Sequence, residues 1–197
     1  MSCSSARPAA SLYAPDLGRP AVTHQMTPAA TVPRDEVLQV RRVNIAPPFD
    51  GPSLVSRKPD GTYSKDLYNQ WVAPPETLFS TGSVEWLNAS GPFASVIDGR
   101  STAPHRYALE ISITSLYGDF QDSVRPRVVM NAHVYLIDDA SRDRAIAYQR
   151  QYDVSVPVTS ASPQGLVLGS GRAYRQLLES ISIDLTSARQ TVAANER

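Results

Sequence analysis

The chain has 197 residues, 42% hydrophobic and 19% charged, which fits one globular domain with a tail. Nineteen basic residues balance nineteen acidic ones, so no net field steers nucleic acid. No run of about 18 apolar residues provides a helical membrane span, and the single cysteine, Cys3, excludes an internal disulfide or a cysteine metal cluster.

The tail comes first. Ser2 precedes Cys3, and Ser4 and Ser5 follow. This is either a stray terminal cysteine or the processed end of a bacterial lipoprotein, with Met1 standing where a removed leader ended. Residues 1–35 are dotted with Pro8, Pro15, Pro20, Pro28 and Pro33. Such a segment buries too little apolar surface to offset its ordering entropy and reads as a disordered tether. Leu12-Tyr13 is a brief extended contact with the domain. From Cys3 to Asp35 the tether would reach roughly 30 Å as a coil and about 110 Å extended.

The domain, 36–193, opens with a strand from Val37 to Ile45. Leu38 and Val40 share one parity and Val43 and Ile45 the other, so a bulge is expected at Arg41-Arg42. Pro47-Pro48 stops the strand, because proline has no N–H for a ladder. Asp50-Gly51-Pro52 and Pro59-Asp60-Gly61 are turn signals around an edge-like strand, Leu54 to Arg57. Tyr63, Leu67, Tyr68 and Trp71 follow, dense aromatic content among turns.

Pro74-Pro75-Glu76 opens a helix carrying Leu78, Phe79, Trp86 and Leu87 on one side. Gly82 permits a close approach between Leu78 and Trp86, and Gly91-Pro92 ends the helix. Phe93 to Ile97 is a short strand, and Asp98-Gly99 a hairpin-type turn. Tyr107, Leu109, Ile111 and Ile113 alternate with polar or small residues, and the alternation breaks at Ser115-Leu116. In the next strand Val124, Val128, Met130, Ala132, Val134 and Leu136 take one face; Arg125, Arg127, Asn131, His133 and Tyr135 take the other. Ile146, Tyr148, Tyr152, Val154 and Val156 line a third strand, and the three read as an antiparallel meander. Ser162-Pro163 is an N-cap signal before a helix from Leu166 to about Ala193, whose start Gly165, Gly169 and Gly171 weaken. Two helices cover one face of such a sheet. The expected fold is therefore an α+β two-layer sandwich, mostly antiparallel, with both helices on one face.

Residues 43–75 resemble the ABC-type transport auxiliary lipoprotein family. The carriers are the strand ending in a proline step, Ile45-Ala46-Pro47-Pro48-Phe49; the segment Asp50 to Arg57; and the tyrosine-to-tryptophan run Tyr68 to Trp71 ending near Pro74. The resemblance implies lipidation at Cys3. With Ser rather than Asp after the cysteine, it also implies the periplasmic face of the outer membrane. Its implied partners are an MCE-domain protein and an ABC permease complex that move lipid, with no nucleic acid. The expected contacts are Phe49, Tyr63, Tyr68 and Trp71 in the aromatic-rich loop and Arg125, Arg127, His133 and Tyr135 on the polar sheet face. Trp71 is equally readable as core packing. Self-association through the same face or the Leu54 edge is a further expectation.

Chemistry is sparse. His24, His105 and His133 lack metal-ligand spacing, and neither a nucleophile elbow nor a phosphate loop occurs. Asp138-Asp139 is a turn, and Asn88-Ala89-Ser90 a sequon of little weight. The chain reads as a non-enzymatic accessory lipoprotein without metal or cofactor. The alternative is a carrier holding an acyl chain between sheet and helices.

Overall fold

The computed structural model describes residues 10–18, 20 and 32–195. Cys3 and His24 lie outside them. Its elements are β1 (Ser11–Tyr13), β2 (Val37–Ile45), β3 (Ser53–Arg57), β4 (Tyr63–Trp71), α1 (Pro75–Ser90), β5 (Ser95–Asp98), β6 (Tyr107–Asp119), β7 (Arg127–Asp138), β8 (Ile146–Pro157) and α2 (Pro163–Asn195).

Strand β6 is the spine of the sheet. β7 pairs antiparallel along its whole length, from Tyr107 opposite Asp138 to Asp119 opposite Arg127, and β8 pairs antiparallel with β7. This is the expected meander. The other edge of β6 is shared by two strands. β2 runs parallel to its first half, Leu38 opposite Tyr107 through Ile45 opposite Ile113, and β3 runs parallel to Gly118 and Asp119. Pro47-Pro48, a cis peptide, separates the two. The Ala46 N–H still donates to Ile113 O at 2.8 Å, and the Phe120 N–H donates to Arg57 O at 2.9 Å. The chain thus leaves the edge of β6 and rejoins it further along. Beyond β2 lies β5, parallel; beyond β3 lie β4, antiparallel, and β1, parallel to β4.

The sheet is therefore mixed, not mostly antiparallel, and this corrects the expectation. Alternation tells which face a side chain takes, not which way the neighbouring strand runs. β2 and β5 are parallel because α1 returns the chain to the starting end of the sheet, as a parallel pair requires. The Asp98-Gly99 turn makes no hairpin: β5 and β6 flank β2 on opposite sides. Two further corrections concern strand limits. Tyr63 to Trp71 is a strand rather than a loop, and β7 begins at Arg127, leaving Val124 86% exposed.

The bulge expected at Arg41-Arg42 is present as a register shift between Val40 and Arg42, and the break near Ser115 as a shift between Ile113 and Ser115. The inward residues Leu38, Val40, Leu109, Ile111, Ile113, Val128, Met130, Val134 and Leu136 are almost wholly buried. α1 packs on β2 and β5, α2 packs on β6, β7 and β8, and the helices touch each other. Phe79 meets Tyr174 with ring centroids 4.4 Å apart between them. Each such fully buried apolar side chain contributes about 1.5–3 kcal/mol.

α2 starts earlier than its glycines imply. Ser162 Oγ accepts the Gly165 N–H at 3.1 Å, an N-cap, with Pro163 first in the helix. Gly169 is a packing site: a Cβ there would lie 2.5 Å from Val128 Cγ2, so its absence lets α2 descend onto β7.

The chain before β2 is partly incorporated. β1 realises the extended contact expected at Leu12-Tyr13: Tyr13 lies opposite Trp71, and its hydroxyl donates to Asn69 Oδ1 at 3.0 Å. Leu17 then sits on α1 at Gly82, where a Cβ would come within 2.1 Å of Leu17 Cδ1. Arg175 of α2 donates to Leu17 O at 2.7 Å.

Candidate functional site

With the helices on one face, strand pairing assigns the residues of the other. Across β6, β7 and β8, Glu110 stands opposite Tyr135 and Tyr135 opposite Gln149; Ser112 stands opposite His133 and His133 opposite Gln151; Asn131 stands opposite Asp153. This zone is polar and half-open, because the inward set alternates with it strictly. His133 and Tyr135 belong to it as expected, and with Gln149 and Gln151 they border a shallow hollow.

Arg127 lies at the margin. Its guanidinium donates to Asp119 Oδ2 at 2.9 Å, tying β7 to β6. Arg125 falls outside the strand: it sits in the turn before Pro126 and pairs with Asp122 Oδ2 at 2.8 Å. The two arginines flank a second hollow with Asp119 and Asp122, so they are partnered rather than arrayed along one strand.

The expected aromatic loop is divided among three places. Phe49 and Tyr63 join Tyr117 on the helix-free face. Phe49 stacks on Tyr117 at 5.7 Å, and Tyr63 meets Tyr117 edge-on at 5.2 Å. Phe49 and Tyr117 are buried, while Tyr63 covers them and stays half exposed. Burial, with a hydrogen bond that the Tyr63 hydroxyl donates to Tyr117, raises the Tyr63 phenol above its ordinary pKa. Trp71 instead faces the helices, 4% exposed, its ring edge-on to Phe79 at 6.3 Å. The core reading of Trp71 is the right one. Tyr68 lies elsewhere again, in a bulge.

That bulge has a definite construction. Ser53 pairs with Gln70 and Val55 with Lys65, so one residue of β3 faces four of β4. Those four are Asp66 to Asn69. The Asp66 carboxylate accepts the N–H groups of Tyr68 and Asn69, both at 2.9 Å, and the side-chain amide of Asn69 at 2.8 Å. Leu67 and Tyr68 are left in solvent, 70% and 52% exposed. Leu12 of β1 and Val72, just past β4, are exposed beside them, and the Val72 N–H donates to Tyr13 O at 2.8 Å.

Tyr117, Leu12 and Val72 did not stand out in the sequence. Tyr117 follows the break at Ser115, where parity no longer identifies a face. Leu12 and Val72 become notable only once β1 is known to pair with β4.

His105 carries no free chemistry. Its ring lies 3.3 Å from Asp139 Oδ2, a carboxylate that also pairs with Arg41. Asp138 is clasped by Arg106 at 2.9 Å. Burial raises the Asp138 pKa, but hydrogen bonds from Arg106 and the backbone outweigh it and leave the group below its ordinary value. Both aspartates of the turn thus fasten β2, β6 and β7 together. A cavity of about 840 Å³ opens between residues 15–18 and Pro20 on one side and α1 on the other, bordered by Leu17, Leu78, Thr81 and Trp86. The layer between sheet and helices, by contrast, is filled by Phe79, Leu87, Met130, Tyr174 and Leu178. That filling counts against an acyl chain held there.

The fold is an α+β sandwich whose forked, mixed sheet has one face without helices among the described residues. The model of the ABC-type transport auxiliary lipoprotein component matches residues 17–182, and the chain belongs to that family. It is accordingly an auxiliary component associated with an ABC-type transport system and a lipoprotein of the cell envelope by family. Among solved structures it is similar to a Xanthomonas campestris protein of the DUF330 family, with a TM-score of 0.72, 20% identity, and coverage of 93% of this chain and 99% of that one. An uncharacterized protein follows at a TM-score of 0.64 and 15% identity, over 78% and 95%. The hypothetical protein CT253 of Chlamydia trachomatis matches at 0.51 and 13%, over 78% and 96%. At these identities the likeness is one of fold. A comparison with curated proteins gave no match.

Proposed function

We propose that the chain is a non-enzymatic accessory lipoprotein of an MCE-type ABC lipid transport system. Acylated at Cys3, it is held on the periplasmic face of the outer membrane behind the residues that precede β1. Its task is to dock the MCE-domain protein and, through it, the ABC permease complex. Self-association of the domain would multiply the docking surface.

One observation supports this reading beyond the family: among the described residues, one face of the sheet carries no helix. That face is divided into a polar zone around His133 and Tyr135 and an aromatic zone where Tyr63 caps Phe49 and Tyr117. A rigid aromatic beside unspent hydrogen-bonding groups is the composition that anchors protein interfaces. His105, Asp138 and Asp139 are engaged in structural pairs.

The test is binding of the purified MCE-domain protein to immobilised full chain, followed by interferometry. Tyr63→Ala and the pair His133→Ala with Tyr135→Ala are each expected to weaken binding at least tenfold, with thermal stability little changed. Full binding by all these variants would remove the helix-free face from the interaction. No binding by the wild type would reject the partner. Light scattering of the same samples reads the self-association.

A further inference from the structure

The bulge in β4 combines two features. It is stiff, because Asp66 ties down three donors around it, yet its tip carries Leu67 and Tyr68 in water. Exposed single leucines need no explanation. Here four large apolar side chains gather at one end of the sheet: Leu12 at 59% exposed, Leu67 at 70%, Tyr68 at 52% and Val72 at 52%. The sheet is open there too. Among the described residues β1 covers Asn69 to Trp71 of β4, and the rest of that strand is an edge.

The position of the tether gives this end its meaning. Because β1 is paired with β4 and Leu17 is seated on α1, the link from Cys3 to the folded body is not the 33-residue leash that the sequence implied. Eight peptide steps separate Cys3 from Ser11, at most about 28 Å of chain. The end of the domain where β1 begins is thus the end held nearest the acylated cysteine.

We propose that this end is the membrane-facing surface of the domain, and that Leu12, Leu67, Tyr68 and Val72 enter the boundary between lipid headgroups and acyl chains. The proposal rests on acylation of Cys3. Leucine supplies apolar insertion and tyrosine the amphipathic ring that settles at headgroup level. Charge plays little part: Arg57, Lys58 and Lys65 are balanced by Asp50, Asp60 and Asp66 in the same stretch. The contact is therefore apolar and insensitive to salt.

The test uses the full, acylated chain on vesicles of phosphatidylethanolamine and phosphatidylglycerol. Acylation consumes the Cys3 thiol, so Leu67→Cys offers the one free thiol for an environment-sensitive fluorophore. Leu168→Cys, exposed on α2, is the control. The label at 67 is expected to shift to the blue and to be quenched several-fold by nitroxide-bearing lipid, unchanged in high salt. The label at 168 stays aqueous. Equal, weak quenching at both sites on vesicle-bound protein overturns the proposal. So does shielding at 67 that appears only after the MCE-domain protein is added. Mass spectrometry of Cys3 separates these failures from the failure of the lipoprotein reading itself.

Discussion

The hydroxyl of Tyr174 on α2 lies 2.6 Å from Ser83 Oγ on α1, both groups wholly buried. Ser83 already donates to Phe79 O at 2.8 Å, so Tyr174 is the donor in the pair. Two helices on one face of a sheet are thereby fixed in register by a single polar contact inside an apolar layer. The two halves of the contact are unequal. Tyr174→Phe removes a donor and leaves Ser83 satisfied, costing about 1 kcal/mol or less. Ser83→Ala strands a buried phenol and costs about 1–3 kcal/mol. Urea unfolding followed by the fluorescence of the buried Trp71 and Trp86 should rank the variants in that order.

A second clasp holds the far half of α2. Asp184 accepts hydrogen bonds from Tyr152 at 2.5 Å, Tyr148 at 2.8 Å and Arg150 at 2.8 Å, all from β8. Burial raises the Asp184 pKa, but the hydrogen bonds and the Arg150 charge prevail and hold it below the ordinary value. A carboxylate depressed in this way stabilises the fold at neutral pH. That contribution is lost as pH falls below the ordinary Asp range, near about 4, toward the folded value. Asp184→Asn is expected to lower stability at pH 7 by about 1–3 kcal/mol. It should also flatten part of the acid-side decline, to which Asp138, likewise depressed, still contributes. Denaturant midpoints from pH 3 to pH 7 check both effects.

The contact of Leu17 with Gly82 predicts local rather than global instability. A larger side chain at 82 occupies the place of Leu17 Cδ1. Gly82→Leu should evict the segment after β1, while the helix gains up to about 1 kcal/mol of propensity. The expected result is faster hydrogen exchange at the Val72 amide, which donates to Tyr13 O, with the global unfolding midpoint nearly unmoved. Slowed or unchanged exchange at Val72 would show that β1 holds without its neighbour.

What the sequence disclosed follows from what periodicity encodes. The β6–β8 meander was legible because alternation runs unbroken along β7 and through the first half of β6, and the Arg41-Arg42 bulge because parity switches there. β4 escaped because residues 66–69 loop out and break its alternation midway. The parallel pairings escaped because strand direction depends on distant contacts that no local pattern records. The site was legible in the same measure. His133 and Tyr135 sit on a regular strand and fell on the expected face, whereas Tyr68, Trp71 and Arg125 flank irregular backbone and went to three different environments. Gly169 was read as a flaw in a helix, since a sequence cannot show the Val128 that the missing side chain admits.

The stiffness of the β4 bulge can be removed without touching its apolar tip. Asp66→Ala deletes the acceptor for two backbone amides and the Asn69 amide, leaving Leu67 and Tyr68 in place. The site is exposed and water replaces the lost partner, so global stability should fall by only about 0.5–1.5 kcal/mol. Exchange at the Tyr68 and Asn69 amides should accelerate more than tenfold. If the tip acts as a preorganised anchor, the ordering cost passes to binding, and the acylated Asp66→Ala chain should show shallower insertion of a label at 67 than the parent. Rapid amide exchange at these positions already in the wild type would mean that the carboxylate does not hold the bulge.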